Sequence, residues 1–275
     1  MARLVVAFLM IGAMLCCAAS ASRVAPWARL ARLGGDAQTI KWLQQNLRLH
    51  GSEEQEEGCA IIATKYEVPP SMRRDFVDAW MKVQQQTMDE ETTNMYDMKK
   101  TMGDNVFFWT YGEWESMEKF MDHFTADYMA EFLGFLDEKD IMWHMYPLKN
   151  VTDNAAMHKD TRVSRKKGDD PRDMKAHVVI EYHVPPSKVE EFIDAWKDCA
   201  MDTWEEKDNS LYALRKVASM NHHFVAYGSW ESYDAYMDHF MSKHTRKLRQ
   251  FLDDTNIMYF SDPLMSMTDT SGKQL

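Results

Sequence analysis

The chain has 275 residues, 45% hydrophobic and 27% charged, a composition that excludes disorder throughout and gives room for about two domains. Its formal net charge of -11 excludes the basic face that a nucleic acid needs, so no nucleic-acid partner is expected. The 23 methionines fall largely on the apolar sides of helical patterns, where a flexible thioether fills core gaps.

Residues 1–21 read as a secretory signal. Arg3 supplies the positive start, Leu4 to Leu15 the apolar stretch, and Ala19-Ser20-Ala21 the small-residue cleavage site, so the mature chain is expected to begin near Ser22. That apolar run is shorter than the roughly 20 residues of a spanning helix, and no other segment comes close, so no stable membrane anchor is expected. Cys16 and Cys17 leave with the signal; for Cys59 and Cys199 the spacing leaves the paired and the free form equally open. Residues 22–58 are basic from Ser22 to His50 and acidic from Glu53 to Glu57. The basic part fits either a transit peptide behind a signal, as for plastids enclosed by extra membranes, or a surface helix with Ile40, Leu43 and Leu47 on one face. The expected location is the secretory pathway, secreted or lumenal, with a plastid as the alternative.

From residue 60 the chain repeats itself. Ala60 to Leu148 matches Ala176 to Leu264 at a constant offset of 116 without insertion, and about a third of the paired positions are identical. Tyr66-Glu67-Val68-Pro69-Pro70-Ser71 answers Tyr182-His183-Val184-Pro185-Pro186-Ser187, and Met121-Asp122-His123-Phe124 answers Met237-Asp238-His239-Phe240. Two copies of one domain therefore occupy 59–148 and 176–264, with a polar linker at 149–175 and a tail at 265–275. The linker carries the sequon Asn150-Val151-Thr152, meaningful only if the chain passes through a secretory lumen.

Each copy reads as strand, helix, strand, strand, helix, strand. In the first, a β-rich run from Cys59 to Val68 is stopped by Pro69-Pro70, and Ser71 is placed to cap a helix with Met72, Phe76, Ala79, Trp80 and Val83 on one face. In the second, Ser187 with Glu190 has the spacing of a capping box. Strands follow near Met95 to Thr101 and Asn105 to Trp114, apolar on both faces, so neither side of the sheet is left in water. One helix is predicted over the stripe Met117, Phe120, Met121, Phe124 and Tyr128, and a last strand near Ile141 to Tyr146. The expected class is α+β: two ferredoxin-like (βαββαβ) repeats forming an intramolecular dimeric α/β-barrel pseudo-dimer, each sheet covered by its sister sheet. Whether pseudo-dimers associate into a further homo-oligomer is left open.

Trp114 is followed nine residues later by His123, and Trp230 by His239; each pair sets a tryptophan at the end of the third strand and a histidine on the next helix. With this pattern both copies resemble the antibiotic biosynthesis monooxygenase (ABM) family, which commonly has a glutamate where this chain has Gly112 and Gly228. The resemblance implies oxygenation without flavin or metal, in which an apolar pocket deprotonates a small aromatic or quinol-like molecule and the anion meets oxygen directly. It implies His123 and His239 as general bases, and Tyr66, Asn105, Trp114, Tyr182, Asn221 and Trp230 as substrate-binding residues. Each of these also has a packing or turn explanation, so a non-catalytic small-molecule-binding or structural tandem protein is the alternative. Among ten histidines, only these two occupy equivalent places in the copies. The second copy is slightly favoured for activity, because His222 or His223 adds a polar group there. No metal is expected: alternation sends His222 and His223 to opposite faces, and His239 and His244 are five apart rather than the four that aligns helical ligands. Haem is not expected either, since the ligand place of that branch falls near Leu133 or Arg249; no cofactor is expected.

Overall fold

The computed structural model describes residues 60–103, 107–152, 175–218 and 220–266. The signal and basic segments, most of the linker, Cys59 and Asn105 lie outside these ranges. The first repeat runs β1 (Ala60–Glu67), α1 (Arg73–Met88), β2 (Thr93–Thr101), β3 (Phe107–Trp114), α2 (Met117–Phe124), α3 (Asp127–Glu138) and β4 (Met142–Asn150). The second runs β5 (Ala176–His183), α4 (Val189–Trp204), β6 (Asn209–Val217), β7 (His223–Trp230), α5 (Tyr233–Met241), α6 (Lys243–Asp254) and β8 (Met258–Ser266). No described helix is long and apolar enough to cross a membrane.

The eight strands close one barrel in the order β1-β3-β2-β8-β5-β7-β6-β4. Within each repeat the arrangement is ferredoxin-like, and the two sheets also meet at both edges. Lys99, Lys100 and Thr101 of β2 pair with Ser266, Met265 and Leu264 of β8, and Leu148, Lys149 and Asn150 of β4 with Val217, Lys216 and Arg215 of β6. That edge pairing carries β4 to Asn150, past the predicted end, and buries Thr152, whose hydroxyl accepts the Leu214 N–H at 3.4 Å.

Strand alternation explains why the strands are apolar on both faces. Ile61, Ala63, Trp109, Tyr111, Val179 and Tyr227 point into the lumen. Their neighbours Ile62, Tyr66, Phe108 and Trp114, with the corresponding Val178, Tyr182, Phe224 and Trp230, point outward under the helices. Four tryptophans, Trp80, Trp114, Trp196 and Trp230, are completely buried in those two helix-covered cores. Methionine is not only core filler: Met88 and Met241 end helices and Met142 and Met258 begin strands, all exposed where the core gives out.

Two local expectations are corrected. Ser71 and the Ser187/Glu190 pair cap nothing, because the paired prolines start a short 3-10 turn in which the Met72 N–H already donates to the Pro69 carbonyl, and Lys188 N–H to Pro185. Nor is the second helix continuous. It breaks at Ala126 in the first repeat and at Ser242 in the second, both extended, and the Ser242 hydroxyl caps the first turn of the next helix by accepting the Thr245 N–H.

Candidate functional site

Trp114 and Trp230 end their strands under the helices, and His123 and His239 in the last turns of α2 and α5 lie against them, ring centroids 4.9 and 4.6 Å apart. Tyr96 and Tyr212 meet the same histidines edge-on. Residues two apart on a strand share a face, so each indole folds back over the residue two before it. A Cβ at Gly112 would lie 2.3 Å from Cη2 of Trp114, and one at Gly228 2.5 Å from that of Trp230. The glutamate common in the resembling family is therefore incompatible with this indole placement.

The carboxylate beside each histidine is Glu90 or Glu206, in the turn after α1 or α4. Both stand at equivalent positions, but acids in a helix-ending turn read as solvated, and only their identity across the offset could have singled them out. In the second repeat, Glu206 Oε1 is 2.9 Å from Nδ1 of His239 and 2.8 Å from Nε2 of His244, while Oε2 accepts the Trp230 indole N–H at 3.0 Å. Nε2 of His239 shares a 3.2 Å hydrogen bond with the Thr245 hydroxyl. In the first repeat, Nδ1 of His123 is 3.4 Å from Glu90 Oε1 and 2.9 Å from the Tyr128 hydroxyl, which itself donates to Glu90. Burial works to raise both carboxyls, but the hydrogen bonds and charge of the histidines, together with the hydrogen bonds of Tyr128 and Thr93 to Glu90 and of Trp230 to Glu206, hold both below the ordinary carboxylate range.

The repeats differ at the other ring nitrogen. The described hydrogen bonds and ion pair of His123 run through Nδ1, with none at Nε2, and the ring borders a narrow cavity. Tyr66, Tyr96, Trp114, Met129 and Trp143 line that cavity, whose free space of about 20 Å³ admits a water molecule. The Trp114 indole N–H is buried without an acceptor, whereas that of Trp230 is used by Glu206. Burial raises the Tyr66 phenol to about 12 against the opposing hydrogen bonds of Thr110 and Thr64, so it stays a neutral wall of the cavity.

Tyr182 is packed between Phe192 and Tyr259. Asn221 is exposed in the turn before β7, the far end of a strand roughly 25 Å long from Trp230. His222 is exposed and His223 enters the lumen, so neither joins His239. Leu133 is core and Arg249 lies over the Phe240 ring. His239 and His244, set aside for their spacing, do converge, because the break at Ser242 lies between them and the periodicity of a continuous helix no longer applies. Cys199 is buried, and its sister Cys59 is outside the described residues.

A second polar cluster occupies the lumen. Lys65 Nζ lies 2.8 Å from Glu181 and 3.4 Å from Asp262, which also accepts the Trp109 indole N–H; the Tyr146 hydroxyl donates to Glu181, and His223 Nε2 stands 3.6 Å away, beyond a hydrogen bond. Burial would raise Glu181, but the adjoining His223 and Lys65 bring it down to about 2.

The family model for antibiotic biosynthesis monooxygenase matches residues 59–134 and again 176–250. Among curated proteins no sequence matches the chain. Similar folds include a "putative monooxygenase" from Fusobacterium nucleatum, 13% identical with a TM-score of 0.62 over 77% of this chain and 94% of that one. Another is a "putative monooxygenase" from Lactobacillus acidophilus, 11% identical with a TM-score of 0.55 over 76% and 94%. At such identities the likeness is one of fold.

Proposed function

Because the chain belongs to the antibiotic biosynthesis monooxygenase family in both of its halves, we propose that it oxygenates a small aromatic or quinol-type molecule without a cofactor, and that the first repeat does the work. The observation that carries this reading is His123, anchored by Glu90 and Tyr128 through Nδ1 and lining an apolar cavity. Nε2 takes the phenolic or enolic proton, Glu90 stabilises the imidazolium, and the unpartnered Trp114 N–H is available to the resulting oxyanion. The anion gives its electrons to dioxygen. One oxygen atom replaces two hydrogens of the substrate as a carbonyl and the other leaves as water, so no outside reductant is consumed. A ring is larger than the present free space, and the unbranched Met129 and Met145 are the side chains placed to yield.

Oxygen uptake by the mature chain against a panel of hydroquinones and phenolic polyketides, with and without added flavin, metal and haem, tests the proposal. Uptake that needs no additive supports it. The narrowness of the cavity favours one second reading, a binding protein that kept the barrel and lost the chemistry; quinol binding with no uptake across the panel would select it. We also propose delivery by the secretory route on residues 1–21, with a plastid as the alternative; native protein that retained Met1 would overturn this.

A further inference from the structure

We propose that the second repeat, and not the first, holds a divalent transition-metal ion on Glu206, His239 and His244. The ligand atoms of the three side chains lie within 4.8 Å of one another. The two separations from Glu206 Oε1, 2.9 and 2.8 Å, match the edge between ligands at right angles on an ion with bonds of roughly 2.0 to 2.1 Å. Two imidazoles and one carboxylate converging on one ion leave its remaining positions open, the donor chemistry of iron(II) and zinc rather than of magnesium or calcium. Here His239 is buried and His244 and Glu206 are half-buried.

The surroundings fit the same ion. Thr245 engages Nε2 of His239, which directs Nδ1 at the carboxylate, and the Trp230 N–H fixes Oε2, leaving Oε1 for the metal. No Lys or Arg is paired with Glu206 among the described residues. The lumen cluster of Glu181, His183 and His223 has comparable spacing, but the Lys65 ammonium 2.8 Å from Glu181 already supplies the cation.

The first repeat is the internal control. It keeps the equivalent Glu90 and His123 but has Tyr128 in place of His244 and Met129 in place of Thr245. Tyr128 makes the hydrogen bond to Glu90 that a structural role requires, with a neutral phenol that burial and Glu90 hold above its ordinary range. Two adjacent differences thus separate a hydrogen-bonded triad from a set of ligands with its supporting shell.

Titration of the metal-free mature chain with cobalt(II), read by calorimetry and by the visible bands of a bound cobalt ion, tests the proposal independently of oxygenation. One ion per chain is expected. His244→Tyr, the residue the first repeat uses, should retain the circular-dichroism spectrum and lose binding. Thr245→Met should weaken it on the order of 10-fold to 100-fold, as supporting-shell changes do. Conversely, Tyr128→His with Met129→Thr should raise the stoichiometry from one to two. Absence of cobalt binding by the unaltered chain, undiminished binding in His244→Tyr, or loss of binding in His183→Ala instead would each overturn it.

Discussion

Among the described glycines, Gly112 and Gly228 hold the narrowest tolerances, because the indole two residues on occupies the space a side chain would take. Gly112→Ala must displace Trp114 or the strand; an overpacked site of this kind costs about 1 to 3 kcal/mol, and the loss should appear as a lower Tm together with altered tryptophan fluorescence. The histidines facing those indoles should separate function from stability. His123→Ala is expected to lower turnover on the order of 10²-fold to 10⁴-fold with the fold retained, and His239→Ala to leave turnover nearly intact. Equal losses from both in oxygen uptake would refute the assignment of the chemistry to the first repeat. The histidines and tryptophans were legible in the sequence because they survive at equivalent positions and sit on recognisable elements. The glutamates were hidden, since proximity between residues 90 and 123, or 206 and 239, is created by the sheet and is absent from local spacing.

Strands and helices were readable where hydrophobic period and proline punctuation agree, as from Ala60 to Val83. Reading the stripe from Met117 to Tyr128 as one helix failed because an apolar face can continue across a break in the backbone, and period alone does not register one extended residue. In the second repeat the break rests on Ser242, whose hydroxyl accepts the free Thr245 N–H in the first turn of α6. Ser242→Ala should cost about 1 kcal/mol in urea denaturation, the usual value of a lost cap. It should also weaken cobalt binding, because the break brings His244 to Glu206; an unchanged affinity would show that the helix ends hold their geometry without the cap.

Closure of the barrel gathers charge inside it, and the lumen network makes the molecule acid-sensitive. The Glu181 carboxyl is held at about 2, against an ordinary value of 4.5. Its contribution is present in full above the ordinary value and is lost as pH falls from there through about 2. Glu181→Gln should therefore be less stable at neutral pH, on the order of 3 kcal/mol for a broken buried pair, and should converge on the unaltered protein in acid. A denaturation series over that window checks both sign and range. The sequence foretold the doubled domain from its constant offset, but the lumen network joins strands from both repeats and leaves no periodic trace. Its central pair also records what joining the copies made attainable. Lys65 and Glu181 are the same position in the two repeats, 116 residues apart, and they touch. In a dimer of identical chains a residue that reaches its equivalent across the twofold axis meets its own twin, so either half paired with itself would set lysine against lysine or glutamate against glutamate. One polypeptide escapes that constraint and gains a lock and key between its halves: first repeats borrowed from two different molecules repel where first and second attract. Lys65→Glu should accordingly destabilise the barrel, and Lys65→Glu with Glu181→Lys should restore it, leaving each chain fitted to complete itself in preference to its neighbours.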